Sequence, residues 1–576
     1  MTDTVVSRAS VGREWIPVSV ATLGTVALLS LWLFNTPTRI LREQLKTLQP
    51  WSLDATVLLG ILVAVWLAAS VARETYKSEL PRLALLVSLG VALTLFAAPR
   101  TNRIFYDEQI YQGIAQNLAD ARLAQMCNDG SVEYGRLRCA NGEYNKQPYA
   151  YPHLLSLAYR VFGARTWTAF AVNAAAMALT VCAVYLLVCV LFGDRDAALF
   201  AGLLIALTPE QLLWSATAAV EPSASLALVV AVLCAAYYRS DGGWVALGAL
   251  LLSTAYAIQF RPESLLILPV IGFLIWPRFR PELQHPRGWW AACAFIWLIS
   301  IHLAHLVAVR NVEWGAVGPR FSVRYIEANL RVNGWFYLYD ERFPATFTIL
   351  AIVGLLSVRR RREAWAVAIY FVLFFAIDLV FYAGSYNYGA DVRYSLMTYP
   401  PLAVLGGLGA ARLGRILGDL ATHAGNQLRS PSTVGLPARA LIVTILLFQF
   451  LWYSPVVRAT TEEAWAARAD VRFAQSFARE IPRNAYVLTQ NPSMFHLWGI
   501  NAGQMSLVTS NPEYVRFLAN RYRGGLYLHW NFWCNVQDPV QQEICRKAMT
   551  IGTADLVTEY RERDQSFAFY RMRVAN

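Results

Sequence analysis

Thirteen apolar stretches, most of them near the length needed to cross a bilayer, leave this chain little choice of fold. A hydrocarbon core about 30 Å thick takes roughly 20 apolar residues as a helix, and lipid offers nothing else for the backbone to bond to. The stretches fall at residues 15–34, 54–72, 82–98, 168–192, 197–213, 222–238, 244–260, 263–276, 290–309, 345–357, 364–383, 396–412 and 435–454. Those at 263–276 and 345–357 are the shortest. With 56% of residues hydrophobic and 15% charged, no ordinary soluble domain accounts for residues 1–456. The expected fold class is a polytopic α-helical membrane protein of about 13 transmembrane helices. The first apolar stretch lacks a small-residue cleavage site and reads as a span, not a cleaved signal.

The arginines orient the spans, because basic loops stay in the cytoplasm. Arg8 and Arg13, Arg73 and Lys77, Arg278, Arg280 and Arg287, and Arg359 to Arg362 all fall on one side. Counting from a cytoplasmic N-terminus puts the loop at 99–167 and the tail from 457 on the opposite, extracytoplasmic side. Arg39, Arg42 and Lys46 dissent, since they would lie outside. The cysteines offer an independent check, as disulfides persist in oxidising compartments. Cys127 and Cys139 sit in the loop and Cys534 and Cys545 in the tail, whereas Cys182, Cys189, Cys234 and Cys293 lie within apolar spans. Two local disulfides, Cys127–Cys139 and Cys534–Cys545, are expected, with free thiols as the alternative. The net charge of +12 is already required by topology, so no nucleic-acid partner is implied.

Residues 457–576 read as a soluble α/β domain. The pattern predicts a helix over Glu462–Glu480 and strands at 485–489, 525–528 and 566–574. The tail carries no nucleophile motif, phosphate loop or zinc spacing, which leaves it the role of scaffold or lid. In residues 1–456, unusual polar residues gather on the outer side. Asp107 and Glu108 follow the third span, and Asn145-Lys146-Gln147-Pro148-Tyr149-Ala150-Tyr151 closes the same loop. Glu210 and Glu221 flank the next outer turn, Arg261-Pro262-Glu263 follows, and Tyr386 to Tyr394, with Tyr388, Asp391 and Arg393, precedes the twelfth span. Acids and bases at a membrane are rare and usually functional.

These residues carry a resemblance. Asp-Glu in the first large outer loop, a Lys-x-Pro stretch, a Glu in the next hairpin, Arg-Pro-Glu, and Arg-Tyr followed by prolines resemble the GT-C superfamily of polyprenyl-phosphate-sugar glycosyltransferases. Protein mannosyltransferases and aminoarabinose transferases are the nearest families, and thirteen spans before a soluble domain is similar to the latter. Asn145 departs from that family, which has an acid there. The resemblance implies an inverting transferase with Asp107 as general base and Glu108 orienting acceptor, sugar or metal. It also implies Glu221 as a substrate contact. Lys146, one of only four lysines, is the candidate for the lipid phosphate, with Arg261 and Arg393 as bidentate phosphate ligands.

Each assignment has a structural counterpart. Asp107 and Glu108 also suit a helix N-terminus. Arg261 with Glu263, and Arg393 with Asp391, also suit ion pairs. Tyr149, Tyr151, Tyr386, Tyr388 and Tyr394 suit either a sugar pocket or an interfacial belt. Asp378, His302 and His305, inside spans, read as internal hydrogen-bonding groups. A divalent cation on Asp107, Glu108 and Glu221 is left open, as hard cations favour such oxygens. The implied partners are the bilayer, a polyprenyl-phosphate-linked sugar, and an extracytoplasmic glycan, lipid or protein acceptor. The expected location is a bacterial inner membrane. The alternative is a transporter or flippase of a lipid-linked saccharide, which would more often show paired halves.

Overall fold

The computed structural model describes residues 6–71, 79–312, 318–358, 361–387, 391–423, 434–458 and 465–574. Arg73, Lys77, Arg359, Arg360 and Tyr388 lie outside the described residues, as does the start of the helix expected at Glu462. Helix occupies each apolar stretch. Among the described residues, eight helices are long and apolar enough to cross a membrane, or nine if the bent pair Arg195–Ala206 and Pro209–Ser215 forms one span. Leu80–Phe96, Trp244–Ala257 and Ala345–Ser357 are shorter apolar helices.

The 59° bend of that pair has a local cause. Pro209 opens the second helix without an N–H to give, and the Thr208 hydroxyl bonds the Leu204 carbonyl at 2.8 Å. Helix Ala345–Ser357 earns its place through close backbone approach to Tyr399–His423. A Cβ at Gly354 would lie 1.9 Å from the Leu405 carbonyl oxygen, and one at Gly409 would lie 2.0 Å from that of Leu350. Small residues at such crossings let two helices meet with full van der Waals contact in lipid, where no hydrophobic force joins them.

The two ends of the bundle differ in how charge is handled. At the end the arginine count places in the cytoplasm, Arg239 pairs with Glu363 at 2.8 Å and Arg439 with Asp196 at 2.6 Å, while Arg415 pairs with Asp194. At the other end the dissenting cations are consumed locally. Lys46 donates to the Gly142 carbonyl at 2.8 Å and Arg42 to that of Ala308 at 3.0 Å. Lys46 ties helix Thr38–Val71 to the loop at 99–167 and Arg42 ties it to helix Pro286–Val309, which gives both basic residues a structural role on that side.

Among the described residues seven strands form one sheet: β1 Met126–Glu133, β2 Arg136–Glu143, β3 Tyr486–Thr489, β4 Asn501–Gln504, β5 Leu526–Trp530, β6 Thr553–Glu562 and β7 Gln565–Arg573. Their order is β2-β1-β4-β3-β5-β7-β6, with β3 parallel to β4 and β5 and the other pairs antiparallel. The expected strands at 485–489, 525–528 and 566–574 are β3, β5 and β7. The loop hairpin β1–β2 extends the tail's sheet through Asp129↔Gly503 and Gly130↔Ala502. Val132 N–H donates to Asn501 Oδ1 at 2.9 Å, and the Tyr486 and Tyr514 hydroxyls both donate to Asp129. The tail therefore shares its sheet with a loop more than 300 residues upstream, which supplies two of the seven strands. Both expected disulfides are present, with Cα–Cα separations of 5.6 Å for Cys127–Cys139 and 5.8 Å for Cys534–Cys545.

A shared sheet requires the loop and the tail to lie on one side of the membrane. A membrane-impermeant maleimide is expected to label Tyr134→Cys and Val540→Cys, both exposed, from the same side of sealed membranes, and Arg280→Cys only from the other. Labelling of Tyr134→Cys and Val540→Cys from opposite sides would contradict the sheet.

Candidate active site

The bend after Ala206, the loop before Glu221, the turn at Arg261 and the 3-10 segment Asp391–Thr398 bring distant charges to one place beside helix Phe105–Ala121. Glu221 is the centre. Its Oε1 accepts from Arg393 Nε at 3.0 Å and from Arg261 Nη1, and the side chain is 1% exposed. Arg261 also donates through Nε to Glu263 Oε1. Arg393 reaches Asp107 Oδ2 and the Tyr394 hydroxyl through Nη2, at 3.3 and 3.2 Å. The Tyr394 ring receives both guanidiniums, each 4.8 Å from its centroid, a cation–π arrangement that holds two like charges apart. Three carboxylates and two guanidiniums thus interlock. Asp107, with its side chain 33% exposed, is the most open of the three acids.

Arg261 pairs with Glu263, as the sequence suggests. Arg393 bonds Glu221 and Asp107, 172 and 286 residues away in sequence, while the side chain of Asp391 lies outside what is described. Asn173 builds the loop that presents Glu221. Its Nδ2 donates to the Thr217 and Ala219 carbonyls at 2.8 and 2.7 Å, and its Oδ1 accepts from Ser223 at 2.8 Å. A buried amide in the apolar helix Thr166–Phe192 was the signal that the sequence reading passed over.

Glu108 does not join the cluster. Its Oε1 accepts the Arg103 and Ile104 amides at 2.9 and 3.0 Å, covering N–H groups that a helix start leaves unpaired. Complete burial pushes its pKa up to about 8. The amides of Arg103, Ile104 and Ala218 pull it back down, and the Glu221 charge adds to the rise. Lys146 lies within reach of the Asp107 charge. Burial lowers its pKa, the Asp107 carboxylate opposes that shift, and Arg320 adds to it. The turn carrying Lys146 is pinned from below, where Asn145 N–H bonds the Tyr149 hydroxyl at 2.7 Å and Tyr144 OH meets His305 Nδ1 at 2.8 Å.

The tyrosines largely leave both the pocket and the belt. Tyr149, Tyr151 and Tyr386 are fully buried, the last two bonding the Ala218 carbonyl at 2.8 Å and Asp378 at 3.0 Å. Tyr394 alone of those described reaches the charge cluster. Glu210 stands apart and accepts from Trp214 Nε1 at 3.1 Å. The cation set does not fit: Asp107 and Glu221 are held by guanidiniums and Glu108 by amides. Among the described residues no three His, Cys, Asp or Glu side chains are arranged to hold a metal.

An interlocked charge cluster thus lies at one end of a helical bundle, under an α/β cap. The family model for dolichyl-phosphate-mannose-protein mannosyltransferase matches residues 146–305, a stretch that includes Lys146, Glu221, Arg261 and Glu263. The fold is similar to that of ArnT from Cupriavidus metallidurans in the apo state, at 15% identity and a TM-score of 0.54, over 86% of this chain and 98% of that one. The same protein bound to undecaprenyl phosphate aligns at 14% identity and a TM-score of 0.52, over the same shares of the two chains. No curated protein sequence matches the chain. The resemblance to GT-C glycosyltransferases is borne out in a sequence model and in fold.

Two outcomes follow from the geometry. Glu221→Ala leaves two guanidiniums facing each other in a buried place, and is expected to cost about 3–5 kcal/mol in stability, read by thermal unfolding in detergent. For Glu108, the folded chain holds its proton to higher pH than the unfolded chain. That contribution is complete below the ordinary range near 4.5 and is lost as pH rises toward about 8. Its expected slope is about 1.4 kcal/mol per pH unit. Glu108→Gln should flatten the fall in stability between pH 5 and pH 8, roughly the window between the two pKa values, and an unchanged slope would contradict it.

Proposed function

We propose that this chain is an integral-membrane inverting glycosyltransferase that moves a sugar from a polyprenyl-phosphate donor to an extracytoplasmic glycan, lipid or protein acceptor. The observation that carries this reading is the tie of Asp107, one-third exposed, to the Arg261–Glu221–Arg393 cluster, with Lys146 close enough to feel its charge. The acceptor hydroxyl oxygen attacks the anomeric carbon and its proton passes to Asp107. The bond from that carbon to the phosphate oxygen breaks, and polyprenyl phosphate leaves with the electron pair. Lys146 meets the charge developing on the phosphate, as a point charge near the leaving group should. Arg393, already tied to Asp107 and Glu221, sets the position of the base relative to that charge. Glu108 is a positioning residue that holds the first turn of helix Phe105–Ala121, and so the direction in which Asp107 points.

The same reading extends to topology. Thirteen spans from a cytoplasmic N-terminus put the site, the loop and the tail outside. Two disulfides on that side and arginine pairs at the other end support it. A bacterial inner membrane is the proposed location, with residues 1–456 as the catalytic membrane domain and 457–576 as its extracytoplasmic cap. Bound undecaprenyl phosphate in ArnT supports a polyprenyl-linked donor.

Transfer of radiolabelled sugar from a panel of polyprenyl-phosphate sugars by the chain in proteoliposomes checks this directly. Activity is expected with one donor class, falling by about 100- to 10,000-fold in Asp107→Asn, as for loss of a general base, with the variant still folded. Lys146→Ala should lose activity chiefly through the chemical step. Equal rates in both variants and wild type would refute the assigned site. Passage of an intact lipid-linked saccharide across the bilayer without transfer would refute the enzyme.

A further inference from the structure

The tail's sheet carries a second constellation that the transfer chemistry above does not use. Its parallel strands run in the spatial order β4-β3-β5, so the connection leaving β3 goes to one side and the next crosses to the other. In open α/β sheets ligands bind outside the carboxyl ends of the strands at such a reversal of direction. Here the reversal lies between β3 and β5. The chain leaves those strands as Thr489-Gln490-Asn491 and Trp530-Asn531-Phe532-Trp533.

A buried polar chain fixes the two strand ends relative to each other. His529 joins Asp470 Oδ1 at 2.9 Å and Thr489 Oγ1 at 3.1 Å, and Asp470 Oδ2 accepts the Phe532 amide at 3.1 Å. Asn531 donates to Gln490 at 2.5 Å. These ends do not face bulk solvent but helix Phe105–Ala121. Trp533 meets Tyr106 edge to face at 5.2 Å. Gly113 approaches Ser493 so closely that a Cβ there would lie 2.3 Å from its hydroxyl. The residue after Tyr106 is Asp107.

Two donors at this seam have nothing to bond. Trp533 Nε1 and Asn491 Nδ2 are both buried without an acceptor. Asn491 precedes helix Pro492–Leu497, where a capping bond would engage its Oδ1 acceptor and leave the Nδ2 donor still to be matched. A buried donor without a partner costs about 1–3 kcal/mol and calls for an explanation. Aromatic edges, uncharged carboxamides and orphan donors, with no guanidinium or ammonium among them, suit a neutral molecule rich in hydroxyl oxygens.

We propose that the seam between the ends of β3 and β5 and the start of helix Phe105–Ala121 is a saccharide subsite that seats the acceptor's sugar ring beside Asp107, with Trp533 and Asn491 donating to its hydroxyls. This rests on the glycosyltransferase reading for its place in the reaction, and the acceptor it selects is a glycan. The cap then takes part in acceptor choice and is more than a lid.

Binding tests the subsite without turnover. Methyl glycosides of mannose, glucose, galactose and arabinose serve as probes, read by saturation-transfer NMR on the full chain in nanodiscs. At least one glycoside should bind wild type, with a dissociation constant that rises about five-fold or more in Trp533→Phe and in Asn491→Ala, as for the loss of one hydrogen bond. Trp533→Phe keeps a ring against Tyr106, so its effect reads the lost donor and not a collapsed seam. Failure of every glycoside to bind wild type, or unaltered binding in both variants, overturns the subsite. Glycoside binding that depends on Trp533, in a chain that transfers from no polyprenyl donor, refutes the transferase reading and supports the subsite.

Discussion

One carboxylate oxygen, Glu221 Oε1, accepts from two guanidiniums in a place nearly closed to solvent. An acid there is tolerated only if cations reach it, because taking a lone charge out of water costs far more than a fold can supply. The cations come from different parts of the chain, Arg261 before one helix and Arg393 before another, so the pairing ties three segments together at one depth. Both guanidiniums lie over the Tyr394 ring, and Nη2 of Arg393 reaches Asp107. The geometry of the most exposed acid therefore depends on a buried one that need not touch substrate.

The cap continues the same logic. Helix Phe105–Ala121 carries Asp107 and is held from three directions: by Glu108 on its own first amides, by the bundle below, and by the tail above. The hairpin β1–β2 grows out of the same loop and completes the tail's sheet, so the loop cannot move without moving the cap. Ion pairs such as Arg239–Glu363 close the other end of the bundle. At the end that holds the site, the Glu221-centred cluster stands beside further pairs such as Arg122–Asp54 and Arg342–Asp340.

Much of the fold was legible because length and apolarity are properties of single segments. The thirteen apolar stretches could be read without knowing their neighbours, and each is helical. Strands β3, β5 and β7 were legible for the same reason, as short apolar or alternating runs. The hairpin β1–β2 was not. Met126–Glu143 is polar, and its partner β4 is only four residues long and some 370 positions away in sequence. The exposed β6 gave no alternation to read. At the site, residue types could be read but partners could not. Tertiary packing brings Glu221 and Asp107 to Arg393 from 172 and 286 residues away, partners that no local spacing announces. Tyr149, Tyr151 and Tyr386 looked amphipathic enough for a belt, yet each hydroxyl found a partner that allowed burial. The pairing of Glu108 with backbone amides was foreseeable as a helix start, and its complete burial was not.

The central claim is that Lys146 and the Glu221-centred cluster form a seat for a lipid phosphate beside Asp107. A cryo-electron microscopy structure of the chain with undecaprenyl phosphate tests it most directly. The account predicts phosphate density in contact with the Lys146 ammonium and close to Arg261 or Arg393, with the prenyl chain leading from there into the bilayer. A phosphate bound elsewhere, with Lys146 and the cluster untouched, would contradict it.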